Sequence, residues 1–293
     1  STFAPPATSR IKPNSFTGSP KDTFYVLQTA SLLKDRVILM GGASKIYIER
    51  TDGKYDDLVK RAGVLFKPTS NTSLYYSYAS MFTPTAYTTR DVNGNQLPNV
   101  TGQGQEVGIK GDFLDGRLNV TADYYWMKQS NLADPAAQVN PVTGLGYYIL
   151  VPDRKFSGVE IDIQAQLAKN WQLILVGWSG KTLNSNGKQA DNSPKESAGL
   201  FTRYDFTTGK AKGFSVGGGA YYSGKRTYGA TRYAADYTVA NAFISYRYND
   251  HWKVSANINN LFDKVYVAGA WADTVIDIGD PRTFRLSVEY RFK

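Results

Sequence analysis

The sequence predicts an all-β protein whose antiparallel strands form the wall of a transmembrane barrel. The first of three observations is the end of the chain. Between residues 282 and 292, Phe284, Leu286, Val288, Tyr290 and Phe292 share one face of an extended strand. Thr283, Arg285, Ser287, Glu289 and Arg291 share the other, because successive side chains of a strand point to opposite sides. The second observation is recurrence. Leu118, Val120, Ala122, Tyr124 and Trp126 alternate with polar or bulky neighbours, as do Val159, Ile161, Ile163, Ala165 and Leu167, and Phe214, Val216, Gly218, Ala220 and Tyr222. A lipid-facing exterior and a polar interior account for all of these together. The third is the rhythm of the connections. From Leu33 onward tight turns at 34–35, 68–72, 112–116, 168–170, 207–212 and 249–251 alternate with longer loops. Transmembrane barrels have short periplasmic turns and long extracellular loops, so all tight turns, and the C-terminus, are expected on the periplasmic side.

Composition agrees and sets limits. Among 293 residues no run approaches eighteen apolar positions, so no transmembrane helix is expected. A mean hydropathy of −0.38 suits a barrel, since half of each strand faces water. The absence of cysteine removes disulfides and thiolate metal sites from consideration. Twenty-one tyrosines in a 14% aromatic chain suit girdles at the two membrane interfaces. The net charge of +9 would attract acidic ligands or lipopolysaccharide, or belongs to a lumen lining whose acidic partners lie elsewhere. The opening Ser1-Thr2-Phe3-Ala4-Pro5-Pro6 lacks a basic stretch followed by an apolar one, which predicts a mature or partial chain.

Taken in order, residues 1–22 are rich in Pro, Ser and Lys and read as loop. Strands follow at 23–33 and 36–49, the second bent at Gly41-Gly42. After a loop at 51–57 come strands at 58–67 and 73–82, the latter carrying Tyr75, Tyr76 and Tyr78. A long polar loop, 83–102, precedes strands at 105–111 and 117–128; a further loop, 129–146, precedes a single long strand, 147–167, interrupted near Pro152. Strands at 171–181, 198–206, 213–223, 237–248, 252–267 and 282–292 complete the series, with loops at 182–195, 224–236 and 268–280. This makes about thirteen strands in one barrel domain spanning 1–293. Single-chain bacterial barrels normally have an even number, so the odd count means either a misread strand or a missing N-terminal part, and the missing part is the preferred expectation.

Several motifs add a family resemblance. Asn259-Asn260-Leu261-Phe262-Asp263-Lys264, then Tyr266, then Gly279-Asp280-Pro281-Arg282-Thr283-Phe284, resembles the closing signature of the TonB-dependent outer-membrane receptors, in particular the siderophore-receptor branch. Arg61-Ala62-Gly63-Val64, Tyr75 to Tyr78, Glu106 to Gly111, Asp115 to Leu118, Lys128 to Asn131, Ser157 to Glu160, Asn170-Trp171 and Arg203 to Phe206 follow in family order. The resemblance implies the C-terminal barrel portion of a 22-stranded, plugged receptor. It implies that the plug and the energy-coupling box lie outside this sequence, and that the usual terminal aromatic is here Phe292, followed by Lys293. It further implies residence in the outer membrane of a Gram-negative bacterium, among lipid and lipopolysaccharide. The implied function is ferric-siderophore uptake energised by the TonB-ExbB-ExbD complex, with the iron carried by the siderophore and no cofactor or metal ligand in the protein. Haem, cobalamin or a glycan as cargo, and a passive pore, are the alternatives.

Catalytic readings are weaker. The single histidine, His251, sits in a tight turn, where a solvated role is expected over a triad or metal site. The acid pair Asp56/Asp57 reads as loop surface, and Glu160/Asp162 as lumen acids paired with lumen Lys or Arg. Tyr-rich strands with basic residues could stack single-stranded nucleic acid, but a girdle explains them and no nucleic-acid partner is expected. Ligand recognition in the resembled family occurs at the extracellular mouth. Aromatic rings and cations suit a compact iron–siderophore complex. The candidates are Trp271, Tyr228, Tyr233, Tyr87, Tyr147, Trp178, Arg226 and Arg232, each also a candidate for girdle or loop packing. Asn260, Leu261, Phe262, Asp263, Tyr266, Gly279, Pro281, Arg282 and Phe292 are expected to be architectural.

Overall fold

The computed structural model describes residues 21–50, 53–228, 232–272 and 275–292. Its strands are β1 (Lys21–Leu32), β2 (Val37–Arg50), β3 (Gly53–Phe66), β4 (Thr72–Thr83), β5 (Val100–Phe113) and β6 (Leu118–Ser130). A small hairpin, β7 (Leu132–Val139) and β8 (Gly146–Val151), precedes β9 (Arg154–Ala168), β10 (Trp171–Leu183), β11 (Glu196–Asp205) and β12 (Phe214–Ser223). A second, β13 (Arg226–Tyr228) and β14 (Arg232–Ala234), precedes β15 (Tyr237–Arg247) and β16 (Trp252–Asn259). A third, β17 (Val267–Ala272) and β18 (Val275–Ile278), precedes β19 (Thr283–Tyr290). Thirteen strands form one antiparallel sheet in the order β1-β2-β3-β4-β5-β6-β9-β10-β11-β12-β15-β16-β19, and the three hairpins are separate two-stranded sheets. The thirteen wall strands match the expected number, and consecutive ones are neighbours throughout. β1 and β19 are the two edges.

Register keeps one face apolar across the whole wall. Between β6 and β9, Leu118 faces Ala165, Val120 faces Ile163, Ala122 faces Ile161 and Tyr124 faces Val159. On the opposite face Asn119 meets Gln164, Thr121 meets Asp162 and Asp123 meets Glu160. The same parity reaches the last pair, where Val254 faces Val288 and Ala256 faces Leu286, while Lys253 faces Glu289. A one-residue slip at any seam would turn a strand's apolar set inward, so register is strongly specified. The apolar face is bare: Phe284 is 72% and Leu286 73% exposed. Buried hydrophobic side chains are confined to Tyr55, Leu97, Ala234 and Ala270 among the described residues. A sheet with an apolar outside and almost no interior core is what a lipid solvent requires. Aromatics gather at the tight-turn end of the outer face, where Trp252 and Tyr290 rings lie 4.6 Å apart and Phe214 and Tyr246 rings 4.5 Å apart.

All six tight connections, 33–36, 67–71, 114–117, 169–170, 206–213 and 248–251, fall at one end of the sheet. Left-handed backbone at Leu33, Lys34, Asp35, Leu114, Asp115 and Gly116 lets two of them reverse so sharply.

Several boundaries differ from expectation. The loop at 51–57 is mostly strand: Gly53 to Asp57 continue the pairing of β3 with β2, and Asp56 accepts a hydrogen bond from Lys45. Lys21 and Asp22 belong to β1, whereas residues 1–20 of the expected leading loop lie outside the described residues. The long strand 147–167 is two strands. Pro152 has no N–H to offer a ladder, and β8 pairs with β7 rather than with the wall. The strand at 252–267 stops at Asn259, because Asn260 takes a left-handed φ of 49° and turns the chain. The loop at 129–146 contributes β7, and the loops at 224–236 and 268–280 contribute nearly all of the strands of the other two hairpins.

Candidate functional site: the inner wall and the mouth

The inner face of β4, β5, β6, β9 and β10 carries a polar and aromatic patch. Tyr75 lies across Gly108, its cross-strand partner, and a Cβ added there would sit 2.6 Å from the tyrosine ring. Glycine at 108 therefore lets the ring lie flat against the wall and its hydroxyl donate to Glu106. Glu106 faces Tyr125 in register, Asp123 faces Glu160, and Glu160 faces Trp178. The Trp178 indole N–H donates to the Tyr125 hydroxyl. Glu106, Asp123, Tyr125 and Glu160 line one shared concavity with Met127. The expected pairing of Glu160 with lumen Lys or Arg is absent among the described residues; its cross-strand neighbours are Asp123 and Trp178. Asp162 accepts from the Gln164 side-chain amide at 3.2 Å.

At the long-loop end, three segments are tied together. Arg226, 6% exposed, donates from its two terminal nitrogens to the carbonyls of Ala268, at 2.7 Å, and Val267. Its Nε has no hydrogen-bond partner. Asn192, in the loop after β10, donates its backbone N–H to the Thr227 carbonyl at 2.8 Å. Its side-chain oxygen accepts from the Ala270 N–H at 3.1 Å. The hairpins β13/β14 and β17/β18 are thus held to each other and to the β10–β11 loop. A second cluster forms where the loop 84–99 meets β7/β8: the Arg90 carbonyl accepts from the Tyr148 N–H at 2.8 Å, and the Asn140 side chain donates to the Val92 carbonyl. Asp91 closes that loop by accepting from the Asn93 and Asn95 N–H groups at 2.9 and 2.8 Å. These bonds hold its carboxyl below the usual carboxylate range, the Asn95 side-chain amide contributing most.

The eight candidate recognition residues fall into three places. Arg226, Tyr228, Arg232, Tyr233 and Trp271 all belong to the two joined hairpins, Tyr228 facing Arg232 in register. Tyr233 is 58% exposed, with the Lys225 ammonium 3.5 Å from its ring centre. Arg226 is buried in the clamp, and the Trp271 side chain lies outside the described residues. Tyr87 is in the second cluster, its ring beneath the Arg90 guanidinium at 3.9 Å, and Tyr147 is on β8. Trp178 is on the inner wall. Sequence reasoning missed Tyr125 as the partner of Trp178, and the bonded Tyr75 and Glu106 beside it, although strand parity puts them on one face. Asn192 carried no signal.

The closing signature is a knot between β16 and β19. The Asn260 side chain, 3% exposed, donates to the carbonyls of Lys264 and Asp280 at 2.8 and 3.0 Å and accepts from the Lys264 N–H at 2.8 Å. Asp263 accepts from the Arg282 N–H at 2.8 Å, beside Pro281, and Leu261 donates its N–H to the Ala240 carbonyl. Gly279 packs against Tyr266 so closely that a Cβ would fall 2.0 Å from the ring. Phe262 and Phe292 are 77% and 87% exposed. His251, in the last tight turn, hydrogen-bonds through Nδ1 to the Arg291 carbonyl at 2.9 Å.

An antiparallel wall with an apolar exterior, a polar inner face and elaborated loops at one end defines a segment of a large membrane-spanning β-barrel. The chain belongs to the TonB dependent receptor-like β-barrel family, whose model matches residues 1–261. It is 30% identical over 259 residues to the ferripyoverdine receptor of Pseudomonas aeruginosa, covering 83% of this chain and 31% of that protein. It is 30% identical over 266 residues to a probable TonB-dependent siderophore receptor of Acinetobacter baumannii, covering 81% of this chain and 34% of that one. The crystal structure of the P. aeruginosa outer-membrane ferripyoverdine receptor bound to ferripyoverdine superimposes with a TM-score of 0.81 at 26% identity. That match covers 92% of this chain and 38% of the other. The chain thus spans about a third of the length of the curated relatives it matches.

Proposed function

We propose that this chain is barrel wall and mouth of an outer-membrane receptor that captures a ferric siderophore and admits it to the cell. On this reading residues 1–293 form one barrel-type domain of a longer receptor in a Gram-negative outer membrane. The TonB-ExbB-ExbD complex supplies the energy through parts outside this sequence, and the role is binding and transport rather than catalysis. The siderophore holds the iron, so the protein needs neither a cofactor nor a metal ligand of its own.

The observation that carries the reading is the agreement of relatives. Those at 30% identity are named for ferric pyoverdines or siderophores, and the wall superimposes on a ferripyoverdine-bound receptor. The site chemistry supports it. Tyr228, Tyr233 and Arg232 on the joined hairpins and Tyr87 and Tyr147 on the second cluster offer rings and a cation at the long-loop end, and Trp178 offers a ring on the inner wall. Trp271 shares the hairpins, and Arg226 positions them. The topology disfavours a self-closed pore. In an antiparallel sheet of thirteen strands β1 and β19 run the same way, so closing them on each other would need a parallel seam.

The test is saturable binding of radio-iron-loaded pyoverdine to the complete receptor that carries this chain. Tyr233→Ala and Arg232→Ala are each expected to weaken binding roughly tenfold, ~1.4 kcal/mol apiece. Binding of haem or cobalamin, with no binding of ferric pyoverdine, hydroxamate or catecholate complexes, would replace the siderophore reading.

A further inference from the structure

The lower inner wall carries a feature that capture at the mouth does not use. The parity that turns Val254 and Val288 outward turns Lys253, Ser255, Asn257, Arg285 and Ser287 toward the lumen. The same inner face continues through Phe243 and Ser245 on β15 to Gly217 on β12 and Arg203 on β11. Two phenylalanines stand on this polar surface, with Arg203, Asn241 and Ser245 among their neighbours along the strands. Phe201 faces Gly219 in register, and Phe243 faces Gly217. From the strands on either side of β12 the two rings come within 6.1 Å, centre to centre, nearly parallel at 11°. No Cβ fits at Gly217 beneath the Phe243 ring, so the glycine lets that ring lie flat against the wall. Phe201 stays 41% exposed. A pair of flat rings open to a water-facing surface is a stacking platform.

Beside the platform, Phe243, Lys253, Asn257, Ser255 and Ser287 line one concavity of about 320 Å³. Asn257 stands in register between Phe243 and Arg285, and Ser255 between Ser245 and Ser287. The two acids of this region are already engaged. Asp205 accepts from Arg203 at 2.9 Å, and Glu289 accepts from Arg291. The side chains of Lys253, Arg285 and Asn257 make no hydrogen bond or ion pair among the described residues. Arg203, Arg247, Lys253, Arg285 and Arg291 outnumber the two acids, whereas the patch higher on the wall holds Glu106, Asp123 and Glu160. A ring platform beside a free ammonium, an open amide and two hydroxyls suits one ligand chemistry, a flat aromatic ring carrying carboxylate or phenolate oxygens. We propose that Phe243, Lys253, Asn257, Ser255 and Ser287 form a second site in the lumen for such an aromatic acid. The ring stacks on Phe243, and its anionic edge accepts from the Lys253 ammonium, the Asn257 amide and the hydroxyls. Its occupant is a catecholate or hydroxybenzoate arm of the cargo, held near the tight-turn end as the cargo leaves the lumen. The occupant rests on the siderophore reading above, and the site uses none of the mouth residues.

The experiment reads binding of iron-free 2,3-dihydroxybenzoate to the complete receptor in detergent micelles by saturation-transfer NMR. Phe243→Leu, which keeps an apolar side chain and so protects the fold, should weaken binding about tenfold through loss of the stacked ring. Lys253→Gln should weaken it about fivefold at low salt and less at high salt, and Lys253→Arg should stay near wild type. Lys169→Gln removes the same charge from a tight turn and should bind like the wild type. In energised cells, Lys253→Gln should capture radio-iron pyoverdine, a catechol-bearing cargo, as the wild type does, yet take it up several-fold more slowly. No binding of dihydroxybenzoate by the wild type would overturn the site, as would equal binding by the wild type, Phe243→Leu and Lys253→Gln. Unchanged uptake by Lys253→Gln would overturn the cargo as occupant, in favour of a free aromatic acid. Failure of the siderophore reading looks different: the wild type would capture no ferric siderophore, while dihydroxybenzoate binding would keep its dependence on Phe243 and Lys253.

Discussion

Replacing Asn260 by alanine should open the outer end of the β16–β19 seam. The side chain makes three hydrogen bonds from a position 3% exposed, two donated and one accepted. Alanine removes all three and leaves the Lys264 N–H and the carbonyls of Lys264 and Asp280 to find other partners. At about 1 kcal/mol net per bond, and more where a group stays dry, the loss is about 3–5 kcal/mol. Alanine must also hold the left-handed φ of 49°, which costs about a further 1 kcal/mol relative to asparagine or glycine. The sum exceeds what a surface loop change produces, so the effect should concentrate locally. Hydrogen exchange of the complete receptor in detergent micelles would read it. The amides of Leu261, Asp263, Lys264 and Arg282 should lose protection by two orders of magnitude or more, while those of β6 and β9 stay unchanged. Asn260→Gly separates the two contributions, since it relieves the backbone and still lacks the bonds; it should recover only the smaller part. Wild-type protection of these four amides in Asn260→Ala would refute the idea that this side chain holds the seam.

Other perturbations follow from the same geometry. Gly279→Ala should displace the Tyr266 ring and cost about 1–3 kcal/mol in urea unfolding. The double variant with Tyr266→Ala should cost less than the two single changes together. Arg226→Ala should free β17/β18 from β13/β14 and raise protease cleavage within 267–278; unchanged cleavage would show that this arginine does not hold the two hairpins together. Asp91 should titrate in NMR below the ordinary carboxylate value of ~3.9, because the Asn95 side-chain amide and the Asn95, Asn93 and Gly94 backbones favour its charged form. A depressed folded value means the loop's stabilisation is complete above ~3.9 and disappears as pH falls through that lower folded value. The Asn95 amide shift should follow it, and an Asp91 midpoint at or above ~3.9 would contradict the loop geometry.

The wall was legible in the sequence because it obeys one rule repeated thirteen times. Where alternation was unbroken, as at Leu118 to Trp126 or Phe284 to Phe292, strand, face and neighbour all followed from period two. It failed where the chain leaves the membrane. β7 contains Pro135, and β13, β14 and β18 are three or four residues long, too short for a period to show. Their pairing is fixed by partners distant in sequence, such as Asn192 and Thr227, which local pattern cannot indicate. The same limit applies to the candidate site. The arginine and tyrosines at 226–233 stood out by residue type, but only the structure distinguishes the buried Arg226 from the exposed Tyr233.

The continuity of register from β1 to β19 also bears on how such a chain can change over evolutionary time. Inside and outside are assigned by a single parity shared by all thirteen wall strands. Inserting or deleting one residue within a wall strand inverts every side chain beyond it in that strand, unless a bulge absorbs the change. Two residues restore parity and merely slide the strand. The long loops carry no such bookkeeping. Length variation among descendants of this sequence should therefore accumulate in the loops at 84–99, 131–153, 184–195, 224–236 and 260–282, and should enter the wall strands mainly as pairs.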